Sequence, residues 1–468
     1  MPKGIKRVAA VLCSITLLAL ILSIYSHPQL RGTTSYLHEW VHPDSFQKPV
    51  LQQSDVDNPQ YTSPTLPITP GISSTYHEIF SRSTPDGKYY ALDFGDYRAT
   101  NPNIIPHPHL PGSYILVAQQ GRSEVENTVW FAELSCTASF SPRSSPSASN
   151  TRTDSSAISQ AISCDISPLI LPIALTVSPY CSGPIEHFGW NVGPHDARVV
   201  YGPHNPYVIY GSNSQHTCFG QWIQDLRLLV DWGREEGSPP QPYRTPTDLQ
   251  RPGGYRAVEK NWFIFWNAAG DAYLHHDIYP KRVFAKLEAD GSVGEDLAPI
   301  SAETDEACLK MHMPEIPEAQ ESIHQATNSL SVTMCKRGQQ GCETGVGNTY
   351  IMTIIQHKRF YSLHSVYEPY VVLFQPTAPY ALHAISKKPI WIHGRGGPGE
   401  KRPKQVPAHV EWDQTEMLYV TSMSWKSHGQ RYHGHIDDEL FVGFGIEDET
   451  SGLIDILASD LLEELALC

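Results

Sequence analysis

The chain has 468 residues and a formal net charge of −15, and 40% of its residues are hydrophobic whereas only 18% are charged. Its cationic residues cluster only at Lys401-Arg-Pro-Lys404, so the chain lacks the basic surface that nucleic acids require and is not expected to bind them. Abundant Tyr, Trp, Pro and Gly favour many short strands joined by turns, and this length allows one large all-β domain.

The amino terminus has the pattern of a membrane signal-anchor. Residues 1–7 are basic, and residues 8–25 form an uncharged apolar run that is long enough to cross a bilayer as a helix. Because positive charge favours the cytosol, we expect a cytosolic tail (1–7), a transmembrane helix (8–25) and a lumenal remainder. A cleaved signal peptide is the competing interpretation, although Ser26-His-Pro28 lacks a small-residue cleavage pattern. The anchor predicts a single-pass type II protein of the Golgi or another secretory-pathway membrane.

Two polar stretches set the limits of the folded domain. Residues 26–75 are rich in Pro, Ser, Thr and Gln without a sustained period, which is typical of a stem or linker. The lumenal domain is therefore predicted to span 76–468. Within it, residues 139–163 are dominated by Ser, Thr and Ala and are predicted to form a disordered insertion.

The cysteines fit an oxidising compartment. Of nine cysteines, Cys13 lies in the predicted anchor, which leaves an even number in the lumen. Cys335 and Cys342 flank a short turn that a local disulfide would close. Since the sequence has no Cys-x-x-Cys pair, disulfides and buried thiols are preferred over a structural zinc site.

A loose unit recurs along the domain: a polar cluster, an apolar strand, a turn and an aromatic-rich strand. The copies lie at 101–106 with 114–118, 195–201 with 207–210, 260–266 with 273–276, 357–361 with 370–374, and 438–448. Five copies predict an all-β, five-bladed β-propeller. The acidic, amphipathic stretch 455–467 predicts a short C-terminal helix packed under the propeller.

The order of five short motifs resembles a known family. In chain order these motifs are Asn101-Pro-Asn, His195-Asp-Ala-Arg-Val, Glu259-Lys-Asn-Trp, Tyr367-Glu-Pro-Tyr-Val-Val-Leu-Phe and Gly445-Ile-Glu-Asp. Their order resembles the five-bladed β-propellers of glycoside hydrolase family 130, the β-mannoside phosphorylases, and the related lumenal β-1,2-mannosyltransferases of fungi. The resemblance extends over about residues 76–468 and implies a central funnel that handles mannosides.

The resemblance also implies roles for individual residues. The family's Glu-Asp-Pro-Arg blade motif carries a general acid or sugar-handling Asp, which corresponds to Asp196, although His195 and Ala197 replace the flanking Glu and Pro.

Further correspondences concern the other blades. The phosphate-binding Lys and His of the family's third blade correspond to Lys260 and to either His275 or His276. The Asn of its first blade resembles Asn101, and the rim Asp of its last blade resembles Asp448.

The chemistry of these residues is coherent without the resemblance. Asp196 and Arg198 are two positions apart on a predicted strand and therefore share a face, so the cation would keep the carboxylate charged and favour a base role. A structural ion pair is the alternative. Lys260 precedes the aromatic run 262–266, which is either a buried strand or a stacking platform for a sugar.

The cluster His428, His433, His435, Asp437 and Asp438 raises the hypothesis of a metal site. Because no third ligand has a fixed spacing, contacts with substrate hydroxyls are preferred, and neither a metal nor another cofactor is predicted.

These features predict a glycosyltransferase that moves mannose from GDP-mannose to a glycan acceptor in a single inverting displacement. Asp196 or Asp448 would be the base, and cations including Lys260, Arg198, Arg282 and His276 would neutralise the departing phosphate. The alternatives are a β-mannoside phosphorylase or hydrolase and a non-catalytic carbohydrate-binding propeller. The predicted substrate-binding residues are Asn101, Asn103, His195, Arg198, Lys260, Asn261, His275, His276, His433, His435 and Asp438.

Overall fold

A computed structural model describes residues 74–121, 123–125, 128–142, 160–233, 242–317, 321–361, 364–404 and 406–468. All of them belong to one compact unit. The predicted cytosolic tail, transmembrane segment and Cys13, and all but the last two residues of the predicted stem, lie outside this range. Within it, no helix has the length and apolar character needed to span a bilayer.

Short strands dominate the described residues. The strands of the first half are β1 (His77–Ile79), β2 (Tyr90–Asp93), β3 (Ala99–Pro106), β4 (Ser113–Gln120), β5 (Ser123–Val125), β6 (Thr128–Trp130), β7 (Glu133–Pro142), β8 (Gln160–Cys164), β9 (Leu169–Ile170), β10 (Asn191–Val192), β11 (His195–Tyr201), β12 (Pro206–Asn213), β13 (Phe219–Asp225) and β14 (Thr247–Asp248). Those of the second half are β15 (Phe263–Trp266), β16 (Ala272–Asp277), β17 (Val283–Lys286), β18 (Glu321–Gln325), β19 (Leu330–Thr333), β20 (Thr349–Tyr361), β21 (His364–Phe374), β22 (Leu382–Ser386), β23 (Ile390–Ile392), β24 (Leu418–Trp425), β25 (His433–His435), β26 (Glu439–Ile446), β27 (Thr450–Leu457) and β28 (Leu465–Leu467). The helices are α1 (Ala302–His312), α2 (Ala458–Leu461) and 3-10 turns at Gly183–Trp190, Leu226–Leu228 and Ala298–Ile300.

The strands form five antiparallel meanders, which we call blades I to V. Blade I contains β3, β4, β7 and β8; blade II contains β11 to β14; and blade III contains β15 to β17. In blade IV, β18 and β19 both pair with β20 and together form the first strand, followed by β21 and β22. Blade V contains β24, β26 and β27, and β2 from the amino-terminal side completes it. The prediction of a mainly β, propeller-like fold is confirmed.

The hydrophobic core is divided among the spaces between neighbouring blades. Because side chains alternate along a strand, each blade can bury both faces. In β11, for example, Val199 faces blade I while Val200 faces blade III. Pairs that share a cluster are Val117 with Val199, Ile209 with Ile264, Phe265 with Ile355, Met352 with Val442, and Phe441 with Leu116.

Hydrogen bonds link the blades into a closed ring. The links are Asn103 Nδ2 to Ala197 O (2.7 Å), Glu259 N to Phe219 O (2.9 Å), Ser329 Oγ to Ile264 O (2.7 Å), Asn328 Nδ2 to Met423 O (2.9 Å) and Ser422 Oγ to Pro102 O (2.7 Å). These bonds hold the first strands of all five blades next to one another around a common central axis.

Two predictions need correction. The predicted disordered insertion 139–163 is wrong at both ends, since 139–142 belong to β7 and 160–163 to β8; residues 143–159 lie outside the described residues. The stretch 455–467 is mostly not helical: β27 continues to Leu457, α2 is one turn, and β28 pairs with β22. The repeat at 357–374 lies in the second and third strands of blade IV.

Four disulfides join all eight described cysteines. They are Cys136–Cys164, Cys181–Cys218, Cys308–Cys468 and the predicted local bridge Cys335–Cys342. The bridge from Cys468 to Cys308 ties the segment after β28 to α1, while β28 pairs with β22 of blade IV.

Candidate active site

Residues from all five blades line one cavity of about 630 Å³. The lining is polar and aromatic, and it lies where the first strands of blades II, III and V begin. Its residues are Thr100, Asn101, Gln119, Gln120, Gly121, Phe131, Asp196, Lys260, Asn261, His324, Tyr367, Tyr419 and Asp448. Asn101, Asp196, Lys260, Asn261 and Asp448, which the sequence singled out, are therefore brought together.

Left-handed backbone conformations aim several of these side chains into the cavity. Asn101, Asp196, Asn261 and Asp448 have φ angles of 55°, 51°, 63° and 52°. Asn and Asp tolerate this region better than most residues with a side chain. The ladders of β3 and β11 shift register beside Asn101 and Asp196, so these residues leave the regular strand and turn inward. Such strain at one cavity is typical of a functional site.

Asp196 is a half-buried carboxylate held by blade I. Its Oδ1 accepts a hydrogen bond of 2.7 Å from Asn101 Nδ2. Burial alone would raise the pKa of Asp196, but the charges of Arg198, Lys260 and His195, together with the Asn101 amide, hold this pKa below its usual value. Asp196 is therefore ionised at neutral pH.

Asp448 follows β26 at the turn of blade V and differs from Asp196. Its carboxylate is exposed and accepts no hydrogen bond from a described residue. The pKa of Asp448 is raised by its enclosure in the protein and by the negative charges of Asp196 and Glu447. The positive charges of Lys358 and His364 oppose this rise. The two carboxylates of the cavity thus have pKa values displaced in opposite directions.

Two further groups can act on a polar ligand. Lys260 is exposed at the cavity, 5.3 Å from the centre of the Phe219 ring, and pairs with no described carboxylate. Burial and the nearby Lys358 and Lys260 lower the pKa of His324 to about 4, so its imidazole is neutral at pH 7.

Tyr367 and Tyr419 form an aromatic wall. Their rings are 4.7 Å apart, and the Tyr419 hydroxyl lies 3.4 Å from Asn261 Oδ1. Aromatic faces with a polar edge suit the alternating apolar and hydroxyl surfaces of a sugar. The predicted platform at 262–266 is instead a buried strand, since Trp262, at its start, is only 1% exposed.

Three predicted ligand-binding residues lie in the wall behind the cavity. Asn103 is buried and bridges blades I and II through Ala197 O and Val199 N. Arg198 Nε donates to Ala326 O and its Nη1 to Asp196 O, so it contributes charge but is held by backbone carbonyls. His195 packs on Phe131, with ring centres 3.7 Å apart, and burial lowers its pKa to about 4.

The blade III histidines do not reach the cavity. His275 is fully buried, where its Nδ1 contacts Gln325 Oε1 and its Nε2 accepts a hydrogen bond from Arg282. His276 Nε2 contacts Gln250 O at 3.0 Å. Burial lowers the pKa of both imidazoles, which removes the predicted phosphate-binding role.

Nearby charges of blade III are also satisfied internally. Arg282 forms a buried ion pair of 3.0 Å with Asp305 in α1. Glu259 pairs with Arg251 and Arg256. Lys260 is therefore left to face the cavity.

His433 and Asp438 lie at the opposite end of the central strands, in a second cavity of about 980 Å³. Asp438 Oδ2 accepts hydrogen bonds from His435 N, Gln430 Nε2 and Arg337 Nη2 at 2.6–2.8 Å. His433 Nε2 lies 2.8 Å from Thr333 Oγ1. These bonds hold Asp438 and His433, and the structure does not bring His433, His435 or Asp438 to the cavity of Asp196 and Asp448, where their substrate contacts were predicted. No group of three or more His, Cys, Asp or Glu side chains is arranged to bind a metal within the described ranges.

Sequence reasoning missed Phe131, Gln119, His324, Tyr367 and Tyr419 as cavity residues. Tyr367 begins one of the five motifs that carry the resemblance, but no role was assigned to it. His324 lies in β18, which is too short and too interrupted to show a period.

Similar solved structures include a β-1,2-mannobiose phosphorylase from Listeria innocua in complex with β-1,2-mannobiose (10% identity, 82% of this chain and 98% of that chain, TM-score 0.41). They also include a GDP-Man-dependent mannosyltransferase from Leishmania mexicana (9% identity, 79% and 89%, TM-score 0.36) and a glycosyl hydrolase from Bacteroides ovatus (9% identity, 81% and 90%, TM-score 0.37). No family model and no curated protein matches the chain. A mannoside phosphorylase and a mannosyltransferase are thus among these structures, but similarity at this level assigns no activity.

Proposed function

We propose that the chain is a secretory-pathway glycosyltransferase that moves mannose from GDP-mannose to a glycan acceptor with inversion, forming a β-linkage. The observation that carries this proposal is the pair Asp196 and Asp448, which share one cavity and have pKa values displaced in opposite directions. Such environments allow one carboxylate to remain ionised while the other exchanges a proton.

Asp448 is the proposed general base. A raised pKa makes a carboxylate a stronger proton acceptor, and Asp448 is exposed without a hydrogen bond from a described residue. Its oxygen takes the proton of the acceptor hydroxyl while the hydroxyl oxygen bonds to the anomeric carbon. The bond from that carbon to the phosphate oxygen of the donor breaks in the same step, so the configuration inverts.

Asp196 and Lys260 serve the two other parts of the reaction. The ionised Asp196, held by Asn101, accepts hydrogen bonds from sugar hydroxyls and stabilises positive charge that develops at the anomeric carbon. Lys260 opposes the charge of the departing diphosphate, and the neutral His324 is a hydrogen-bond donor beside it.

A secretory-pathway location is part of the proposal. Four disulfides among the described cysteines suit an oxidising lumen, and the basic residues 1–7 followed by the apolar run 8–25 suit a type II anchor in the Golgi or another secretory membrane. Such an anchor would hold the cavity near passing glycans.

The test is a transfer assay on the full-length chain in detergent or membranes, with GDP-mannose, other sugar nucleotides and mannoside acceptors. We expect a β-linked product with GDP-mannose in preference to the other donors. Absence of product from every donor, with a folded protein, would overturn the proposal.

A β-mannoside phosphorylase or hydrolase is the second candidate, because a carboxylate with a raised pKa such as Asp448 is equally suited to protonate a leaving oxygen. Phosphate-dependent release of mannose 1-phosphate from a β-mannoside would favour a phosphorylase, and phosphate-independent release of mannose a hydrolase. A carbohydrate-binding propeller would bind mannosides with no turnover in any of these assays.

A further inference from the structure

Glu133 is a fully buried carboxyl group directly behind the candidate active site. It begins β7, in register opposite Gln119 of β4. Its side chain is 0% exposed, and Oε1 accepts a hydrogen bond of 3.1 Å from Ala197 N. Oε2 has no hydrogen-bond partner among the described residues.

The Glu133 contact supports a break in the β11 ladder. The pairing of β11 with β12 passes from His195 to Arg198, so Asp196 and Ala197 have no ladder partners there. Two side chains of blade I replace them: Gln119 Oε1 accepts from Asp196 N at 2.8 Å, and Glu133 Oε1 accepts from Ala197 N. Both acceptors therefore satisfy backbone N–H groups of the irregular segment that contains the left-handed Asp196.

Glu133 forms no ion pair with a described cation. The charged groups that face it are Asp196 and Arg198, both on β11, and Arg198 donates its Nε and Nη1 hydrogen bonds to backbone carbonyls. An ionised carboxylate with one neutral donor at this depth would be strongly unfavourable.

We propose that Glu133 is a positioning residue for Asp196 and that it performs this role as a neutral carboxylic acid. The inference rests on the proposed function, since Asp196 is given its role there. Glu133 acts indirectly, by holding the backbone of residues 196 and 197, and does not contact the substrate.

The electrostatic surroundings agree with a neutral acid. Burial raises the pKa of Glu133 to about 8, with the Ala197 amide and Arg198 opposing the rise and Asp196 adding to it. Above that pH, a second negative charge forms beside Asp196. Activity is therefore expected to fall on the alkaline side as Glu133 loses its proton.

Transfer kinetics of the full-length chain as a function of pH test the role. E133Q keeps the acceptor for Ala197 N but cannot ionise, so it should match the wild type well below pH 8 and lose the alkaline fall. E133L removes the acceptor and should lower kcat about tenfold or more. The exposed E303Q, in α1, is the matched control and should follow the wild type throughout. An unchanged alkaline limb in E133Q, or full kcat in E133L, would overturn the inference.

Thermal unfolding separates this inference from the proposed function. Because the folded pKa of about 8 exceeds the usual 4.5, the folded chain retains a proton that the unfolded chain releases between these values. The contribution of Glu133 to the free energy of unfolding is complete below pH 4.5, and it declines as the pH rises from 4.5 to about 8. The Tm of E133Q relative to the wild type should therefore increase across this window. If the Tm difference between E133Q and the wild type does not change with pH, the neutral state of Glu133 is overturned even if transferase activity is found. If the Tm difference changes as expected but the wild type is inactive, only the proposed function is contradicted.

Discussion

The cavity at Asp448 and the cavity at Asp438 lie at opposite ends of the same central strands, and they differ in how their polar groups are satisfied. Asp438 accepts three hydrogen bonds, from His435 N, Gln430 and Arg337. Asp448 accepts none from a described residue. Both ends contain carboxylate, imidazole and cation, so composition alone does not separate them.

The difference teaches that unsatisfied polarity, and not the number of polar residues, marks the candidate site. At the Asp448 end, left-handed residues leave the strands and present oxygen atoms to a shared space. At the Asp438 end, the same types of side chain close a turn. The larger cavity is therefore not the better candidate, because its carboxylate, Asp438, is already held by three donors.

Removing the proposed base should have the largest effect. D448N preserves the size of the side chain but cannot accept the acceptor proton, so we expect kcat to fall by roughly 10²–10⁴-fold. The measurement is initial-rate transfer from GDP-mannose, with mannoside binding followed separately. D271N, on an exposed side chain at the opposite end, should retain the wild-type rate. Wild-type turnover by D448N would remove Asp448 from the chemistry.

Asn101 should rank second, because it donates to Asp196. N101G removes the amide while tolerating the left-handed backbone, and loss of a hydrogen bond to a charged group should lower kcat/KM by roughly 10–100-fold. The amide helps to lower the pKa of Asp196, so its removal raises that pKa. The acidic limb of the pH–rate profile should therefore move to higher pH.

The matched control for this change is N267G at the opposite end of blade III. Asn267 Oδ1 accepts hydrogen bonds from Ala269 N and Asp271 N, so its loss should weaken a turn without changing the pH profile. An acidic limb that stays in place in N101G would contradict the coupling of Asn101 to Asp196.

The sequence predicted the propeller-like fold because period-two apolar strands and turn residues recur in each blade. The family resemblance also predicted Asn101, Asp196 and Asp448, and Asn261 stands in one of its motifs. All four are Asn or Asp, residue types that turns favour and that tolerate a left-handed backbone. Their convergence follows from the ring of blades and was predictable once that ring was assumed.

What the sequence did not reveal is how deeply each side chain is buried. His275 pairs with Phe263 and so lies at the same, open end of the β15–β16 hairpin as Lys260, yet only Lys260 lines the cavity. Alternation along a strand gives the face of a side chain but not its depth. His275 is buried by Phe263 of β15 and by Arg282 and Phe284 around the start of β17, which are two separate segments. Glu133 escaped notice for the same reason, because only tertiary contact with Ala197 gives it a role.

The disulfide Cys335–Cys342 offers a test of structural importance at the Asp438 end. The bridge closes a short loop with a sequence separation of 7, and it holds the segment that carries Arg337. C335S/C342S should lower the free energy of unfolding by about 2–3 kcal/mol through the entropy of the open loop. Chemical unfolding measures this loss, and the kinetic constants should stay at wild-type values. A fall in turnover larger than the loss of folded protein would link this end to catalysis.

The smallest effect is expected from R337A, which removes one of the three donors to Asp438. The Arg337 Nη2 to Asp438 Oδ2 distance is 2.6 Å, but the Arg337 side chain is 55% exposed, so the pair should contribute only about 0.2–1 kcal/mol and less at high salt. His435 N and Gln430 continue to hold the carboxylate, and kcat/KM should not change. Unfolding at low and high salt, with transfer kinetics on the same preparation, measures both effects. A tenfold fall in kcat/KM would mean that Arg337 binds substrate and that internal pairing is a poor guide to which end of the propeller is active.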